Sequence, residues 1–224
     1  ALLQHNTSGI ITRAEDSIER PKDLEGYTYS TWNSPIELAT MQQVVEADGG
    51  DFSKVDLIPN NIVDEAGALK EHQTDAIWIY YGWGGISAEL QGLDFNYFYF
   101  KDLDPVFDYY TPVIIANNDF LAEHPDTAKA FLSATAKGYE YAIAHPEEAA
   151  QMLIESDTTG SLKDSAELVT ASQKWMADQY QAEAERWGYI DPSRWNAFYR
   201  WLSDNNLVEQ PIPENTGFSN DYLA

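Results

Sequence analysis

The sequence predicts an α/β fold in which one doubly wound lobe precedes a mostly helical C-terminal part. Strand-like and helix-like segments alternate up to about residue 105, which is typical of a largely parallel sheet with helices on its faces. Residues 75–80 are apolar at nearly every position, as expected for a strand buried on both faces. Beyond residue 117 the apolar residues recur at helical spacing, so this part supplies helices rather than a second sheet.

Local signals define the elements in order. Residues 1–12 indicate a strand that is interrupted by a polar patch from Gln4 to Ser8. Ser34, Pro35 and Glu37 match a helix start with a capping box, and Gly49 and Gly50 end that helix. Asn117 or Asn118 is expected to cap a later helix. Further strands are predicted at 27–31, 55–58, 75–80, 95–100 and 110–116, and further helices at 64–72, 86–91, 126–145, 146–154, 165–176 and 192–205.

These elements suggest three parts: an interlobe crossing strand at 1–16, an α/β lobe at 17–105, and a return crossing strand followed by helices at 106–224. The C-terminal helices are too apolar to stand alone, since the last one carries Trp195, Phe198 and Trp201. We expect them to pack on both lobes. The sheet of the other lobe is expected upstream of Ala1, which would make this chain N-terminally truncated.

Composition excludes several classes of function. Thirty-seven acidic and 13 basic residues give a net charge of −24, so the chain lacks the basic surface that nucleic acids and anionic membranes require. Such acidity favours a soluble monomer. The absence of cysteine excludes disulfides and thiolate chemistry. No apolar run approaches the ~20 residues that a bilayer span needs.

The first candidate site is the junction Trp32-Asn33-Ser34-Pro35-Ile36-Glu37. It should place free backbone N–H groups and the positive end of a helix dipole at the carboxyl edge of the sheet, where open α/β sheets bind ligands. An ordinary strand-to-helix junction with a good cap would show the same pattern. Trp32 favours the binding interpretation, because capping does not need a large aromatic residue.

The second candidate is the run from Trp78 to Gly85, which includes Tyr80, Tyr81 and Trp83. It follows another predicted strand and should therefore lie at the same edge. Aromatic faces beside glycines suit a planar ring, because the glycines let the backbone come close. The alternative is aromatic core, which we favour for Trp78 inside the strand and leave open for Tyr81 and Trp83.

A third candidate, Asp108-Tyr109-Tyr110-Thr111-Pro112, precedes a predicted strand and fits either a second interlobe crossing or a simple turn. Catalytic patterns are weak. His5, His72, His124 and His145 are scattered, and no nucleophile elbow, Walker motif or metal-ligand spacing is present. The acidic residues near Glu183 are interpreted as a solvated helix face. We predict no catalytic residue, metal or cofactor.

Several motifs together resemble the thiamine-pyrimidine-precursor-binding proteins of ABC importers, which are related to the fungal thiamine-pyrimidine synthases. The resemblance lies in six segments in register and runs over nearly the whole chain. These segments are residues 21–26, Trp32-x-Ser34-Pro35-x-Glu37, Gly49-Gly50-x-x-x-Lys54-Val55, residues 75–83, residues 108–114 and residues 131–139.

The resemblance implies a type II periplasmic-binding-protein-like fold, with a small heterocyclic ligand held in an interlobe cleft. Gln4 to Ser8 would form the first crossing, with Gln4 and His5 near the ligand, and residues 109–115 the second, with Asp108 and Tyr109. Ring stacking falls to Trp32, Tyr81 and Trp83, and polar contacts to Ser34 and Glu37. Family members often have an acid where this chain has Gly84, and Glu37 or Glu89 is expected to substitute.

The implied function is an extracytoplasmic binding component, in the periplasm or lipid-anchored, that hands hydroxymethylpyrimidine or formylaminopyrimidine to a membrane permease. The family resemblance also leaves open a synthase-like enzyme, or a binding protein for riboflavin or another small heterocycle. A small anion such as an alkylsulfonate or nitrate is the least expected ligand, because the aromatic residues favour a ring.

Overall fold

A mixed five-stranded sheet organises the N-terminal half of the protein in the computed structural model, which describes residues 1–223. Its order is β3-β2-β4-β1-β5. Strand β2 runs parallel to β3 and β4, whereas β1 runs antiparallel to β4 and β5. The strands are β1 (Ser8–Arg13), β2 (Thr28–Thr31), β3 (Asp56–Pro59), β4 (Ala76–Tyr80) and β5 (Phe95–Tyr99).

Ten α-helices accompany these strands in the described part of the chain. Asn117 accepts hydrogen bonds from the backbone N–H groups of Asp119 and Phe120, which confirms it as a helix cap. The helices are α1 (Pro35–Ala47), α2 (Glu65–Lys70), α3 (Ile86–Leu90), α4 (Phe100–Leu103), α5 (Asn118–Glu123), α6 (Pro125–Ala144), α7 (Pro146–Ser156), α8 (Ser161–Asp164), α9 (Ala166–Tyr180) and α10 (Pro192–Asp204). No helix within residues 1–223 combines the length and the apolar character needed to cross a membrane.

The chain divides into two compact units. The sheet unit contains Thr7–Asp108 and Phe198–Ile212, and the helical unit contains Ala1–Asn6, Tyr109–Ala197 and the residues from Pro213 onward. The chain therefore passes between units after residues 6, 108, 197 and 212, and the third of these positions lies inside α10.

The core of the sheet unit follows from the two-residue period of its strands. Ile11, Ile77 and Ile79 share one face and pack against Leu69 of α2 and Ala88 of α3. The opposite face carries Ile10 and Trp78, which are partners across β1 and β4. On this side an aromatic series continues through Phe100, Phe107 and Trp201, with ring centroids 4.1 to 6.4 Å apart.

The helical unit has its own core. Ala150, Ile154 and Val169 are buried between α7 and α9, with Leu162 and Ala166 packed against them. Tyr139 of α6 stacks on Trp187, with ring centroids 4.4 Å apart. The N-terminal segment is held in this unit by backbone hydrogen bonds from Leu2 to Pro112 and from Gln4 to Gln179.

Three predictions about strands are wrong. The sheet is mixed rather than largely parallel, because β1 runs against both neighbours and the alternation of elements does not encode strand direction. The strand predicted at 1–12 is regular only from Ser8 to Arg13. Residues 110–116 form no strand. Pro112 cannot donate to a ladder, and Tyr110 is instead anchored through its hydroxyl, which accepts a hydrogen bond from the backbone N–H of Asp191.

Candidate functional site

The carboxyl ends of β2 and β4 meet at one edge of the sheet, because the two strands are parallel neighbours. Trp32, Asn33 and Ser34 follow β2 directly, and the wide π-helical turn Tyr81–Gly85 follows β4. The antiparallel β1 begins at the same edge, since Ser8 is the partner of Tyr80. Two of the three sequence-predicted clusters are thus neighbours.

Exposed aromatic rings mark this edge. Trp32 is 53% exposed, Tyr80 45% and Trp83 47%, whereas Trp78 inside β4 is 6% exposed. The Trp78 ring lies between those of Trp32 and Phe100, at centroid distances of 6.1 and 4.1 Å. Trp78 is therefore part of the core, as predicted, and its buried ring packs against the ring of Trp32. Large apolar side chains left uncovered at one edge of a sheet are typical of a binding surface.

Tyr81 differs from these exposed rings because it packs onto β5. Its ring stacks on that of Tyr99 at 5.6 Å and meets that of Tyr97 edge-on at 5.0 Å. Its hydroxyl donates a hydrogen bond to Glu89, and burial followed by this bond raises the pKa of Tyr81. Burial together with Asp102 and Glu89 likewise raises the pKa of Tyr99 to about 12. Both phenols therefore keep their protons to a higher pH than a free tyrosine does.

The loop that carries Trp32 is built around the carboxylate of Glu37. This side chain is buried, and it accepts hydrogen bonds from the hydroxyls of Tyr29 and Thr31 at 2.7 and 3.0 Å. It also accepts the backbone N–H groups of Trp32 and Ser34, each at 3.2 Å. Burial, with the hydrogen bond to Glu37, raises the pKa of Tyr29. Ser34 and Glu37 form the predicted capping box.

The prediction that this junction offers free backbone N–H groups is wrong for Trp32, Asn33 and Ser34. The N–H groups of Trp32 and Ser34 donate to the carboxylate of Glu37, and the N–H of Asn33 donates to the hydroxyl of Thr31 at 2.8 Å. Asn33 itself has φ of +58°, a conformation that asparagine tolerates better than most residues. The loop is thus a closed hydrogen-bonded structure.

The other predicted site residues occupy different settings. Asp108 is half-buried in the sheet unit, where its backbone N–H donates to the carbonyl of Pro105. Gln4, His5 and Tyr109 belong to the helical unit. Gln4 is buried, and its side-chain amide donates to the carbonyl of Tyr189 at 3.0 Å.

Two residues that sequence reasoning missed as site candidates, Glu183 and Arg194, surround this N-terminal segment. Glu183 Oε2 lies 2.8 Å from His5 Nε2 and its other oxygen 3.5 Å from Arg194, which also donates to the carbonyl of Gln4. The hydrogen bond with His5 is the main cause that lowers the pKa of Glu183. Glu183 lies in an irregular turn rather than in a helix, so the helical part of its assignment is wrong, whereas its side chain is 64% exposed and therefore solvated as predicted. No local signal predicts this pairing, because 178 residues separate the partners.

A possible cation-binding cluster, formed by Glu15, Asp16 and His72, brings its ligand atoms within 4.8 Å of one another. It follows the other end of β1, away from the exposed aromatic edge. Ion pairs account for it, since Asp16 lies 2.6 Å from Arg13 and Glu15 lies 3.6 Å from His72.

The sequence matches the family model described as NMT1/THI5 like over residues 1–149. It is 26% identical over 211 residues to a formylaminopyrimidine-binding protein of Halalkalibacterium halodurans, covering 92% of this chain and 62% of that relative. It is 28% identical over 118 residues to a 4-amino-5-hydroxymethyl-2-methylpyrimidine phosphate synthase of Candida albicans, covering 51% and 31% of the two chains.

Among solved structures, the periplasmic aliphatic sulphonate-binding protein SsuA of Escherichia coli superposes with a TM-score of 0.66 at 14% identity, over 92% of this chain and 63% of that one. The chain thus has the fold of periplasmic binding proteins. It spans less than two thirds of the length of the formylaminopyrimidine-binding relative and of SsuA.

Proposed function

We propose that this chain, which belongs to the NMT1/THI5-like family, acts as the substrate-binding component of an ABC importer for a thiamine pyrimidine precursor. The precursor is hydroxymethylpyrimidine or formylaminopyrimidine. The observation that carries the proposal is the set of uncovered aromatic rings, Trp32, Tyr80 and Trp83, at the carboxyl edge of the sheet. The similarity to a formylaminopyrimidine-binding protein over 92% of the chain supports the choice of ligand.

In this proposal the ring of the ligand lies against aromatic faces. Trp32 and Trp83 are the main contacts, with Tyr80 and Tyr81 beside them. Stacking of this kind adds ~0.5–1.5 kcal/mol per ring pair beyond the burial of apolar area. Asn33 and Ser34 are the polar groups of the loop nearest to Trp32. Gln4 and His5 of the predicted first crossing, and Asp108 and Tyr109 of the predicted second crossing, stay proposed contacts.

The proposed function is binding without chemistry. Acid–base catalysis requires a titratable group within hydrogen-bond reach of the reacting atoms. At the aromatic edge, Glu37 already accepts four hydrogen bonds and Glu89 accepts one from Tyr81. His72 lies instead beside Glu15, beyond the other end of β1. These arrangements support a site that holds a ligand rather than one that transforms it.

A synthase-like enzyme is the second candidate, because the chain is 28% identical over 118 residues to the Candida albicans synthase. A binding protein for riboflavin or another flat heterocycle would use the same aromatic edge. We further propose that the protein works as a monomer outside the cytoplasm, in the periplasm or lipid-anchored, with a membrane permease as its partner. Its net charge of −24 argues against nucleic acid as a partner.

Titration of the intrinsic tryptophan fluorescence tests the proposal, since Trp32 and Trp83 are exposed reporters. The ligands are hydroxymethylpyrimidine, formylaminopyrimidine, thiamine and riboflavin, and the mixture is analysed afterwards for new products. We expect saturable quenching by a pyrimidine at micromolar or lower concentration, with the ligand recovered unchanged. Formation of a product would favour the synthase-like enzyme. A response to riboflavin alone would change the assigned ligand from a pyrimidine to riboflavin.

A further inference from the structure

The N-terminus of α1 is the part of the aromatic edge that would ordinarily attract an anion. Helix N-termini bind sulfate, phosphate and carboxylate groups because their first N–H groups lack partners within the helix. In a binding protein, such a terminus beside an exposed tryptophan would favour a negatively charged ligand. Whether its donors are free therefore bears directly on the class of ligand.

Most of these donors are already committed within the protein, and in the part of the chain that the structure describes the N–H of Ile36 is the exception. The N–H groups of Trp32 and Ser34 donate to Glu37, and that of Asn33 donates to Thr31. Pro35 has no N–H group, and the capping box pairs the N–H of Glu37 with the side chain of Ser34. An incoming anion would find only the N–H of Ile36 free and would have to displace an existing bond for any further backbone contact.

Glu37 is also held firmly in this position. Its side chain is 4% exposed, and the hydroxyls of Tyr29 and Thr31 complete two hydrogen bonds to each carboxylate oxygen. Tyr29 is itself fully buried in β2. Removing a buried carboxylate from four donors would leave each of them without an acceptor, which is costly.

We infer that Glu37 is a specificity-determining residue: it occupies the anion position at the N-terminus of α1 and thereby restricts the Trp32 loop to neutral or cationic ring ligands. Its negative charge offsets the helix dipole and repels a second anion, and the net charge of −24 acts in the same direction. The identity of the ring rests on the proposed function, whereas the exclusion of anions rests on the contacts of Glu37 alone.

The test compares Glu37→Ala and Glu37→Gln with the parent protein and with Glu46→Ala. Glu46 lies on the exposed side of the same helix, so its removal changes the net charge equally while leaving the N-terminus intact. The probes are formate and ethanesulfonate, added at constant ionic strength against chloride. Thermal midpoint and tryptophan fluorescence report binding, and hydroxymethylpyrimidine is titrated separately.

We expect the parent and Glu46→Ala to show no saturable response to either anion. Glu37→Ala should gain saturable binding of formate or ethanesulfonate that is at least about tenfold tighter than any parent response, with a raised thermal midpoint. About tenfold corresponds to one charge-assisted hydrogen bond. Glu37→Gln keeps the shape of the side chain and still fills the position, so it should fold more readily and show at most a smaller gain than Glu37→Ala.

Saturable binding of ethanesulfonate by the parent would overturn the inference, and that measurement does not depend on any variant folding. A folded Glu37→Ala that gains no response to anions would overturn it as well. Failure of the parent to bind any pyrimidine would contradict the proposed function only, because the anion measurements contain no pyrimidine.

Discussion

Replacing Trp32 by alanine separates a binding role for the exposed aromatic edge from a structural one. Trp32 is 53% exposed and contacts the ring of Trp78 at a centroid distance of 6.1 Å. A tryptophan offers up to ~250 Å² of surface for burial, so up to roughly 130 Å² of Trp32 stays free for a ligand. Covering that area at ~25 cal/mol per Å² is worth up to about 3 kcal/mol.

Ring stacking adds ~0.5–1.5 kcal/mol, and the cost of ordering the ligand and loop removes part of the total. We therefore expect Trp32→Ala to weaken pyrimidine binding by about 10- to 100-fold. The free energy of unfolding should fall by only about 1 kcal/mol, because half of the ring already faces solvent. Trp32→Phe should retain most of the affinity.

Isothermal titration calorimetry and urea unfolding of the same samples measure the two effects. Trp78→Ala is the matched control: its ring is 6% exposed and packs on Phe100, so its loss should cost about 3–5 kcal/mol of stability. An unchanged dissociation constant in a folded Trp32→Ala would refute the assignment of Trp32 to the site. A stability loss as large as that of Trp78→Ala would show that the ring is structural.

Three further predictions test other parts of the structure. Trp83→Ala should weaken pyrimidine binding by about tenfold with the thermal midpoint nearly unchanged, because Trp83 is 47% exposed. A dissociation constant equal to that of the parent protein would show that Trp83 is not part of the site. Arg13→Met should cost about 3–5 kcal/mol in urea unfolding, because the buried guanidinium donates to the carbonyls of Leu69 and Thr74 and to Asp75 at 2.6–2.8 Å. The exposed pair of Arg20 and Asp48 is its control, and Arg20→Met should cost under about 1 kcal/mol. Hydrogen bonds from the backbone N–H of Leu162, then from Thr159, lower the pKa of Asp157 from 3.8 to about 2. A lowered carboxyl pKa stabilises the folded state above the unfolded value, so Asp157→Asn should lower the thermal midpoint at pH 7, and this difference should shrink as the pH falls from about 4 to 2. A difference that is constant with pH would contradict this.

Local sequence signals were sufficient wherever an element depends on neighbouring residues. The capping box of Ser34 and Glu37, the cap at Asn117 and the apolar strand that contains Trp78 are all present. Each depends on residues within a few positions of one another, so periodicity and cap chemistry were enough. The neighbouring positions of the Trp32 loop and the turn after Tyr80 also followed, because parallel strands end at the same edge.

The sequence did not predict features that depend on the direction or pairing of distant segments. Alternating elements could not reveal that β1 runs against β4 and β5, which turns a parallel sheet into a mixed one. Nor could they show that residues 110–116 form no strand, because the apolar run from Val113 to Ala116 also suits an irregular segment that is anchored by the hydroxyl of Tyr110. The pairing of His5 with Glu183 spans 178 residues and has no local signal.

The sequence by itself therefore determined the α/β class, the helix starts, the acidic surface and the aromatic residues available for a ring ligand. Only the tertiary structure decided which of these groups are free. Trp32 and Trp83 are exposed, and Tyr81 packs on β5. The carboxylate of Glu37 is buried and accepts hydrogen bonds from the backbone of the Trp32 loop. The reason is physical: residue type sets what a side chain is able to bind, but its folded neighbours decide which of its surfaces and hydrogen-bonding groups are already taken.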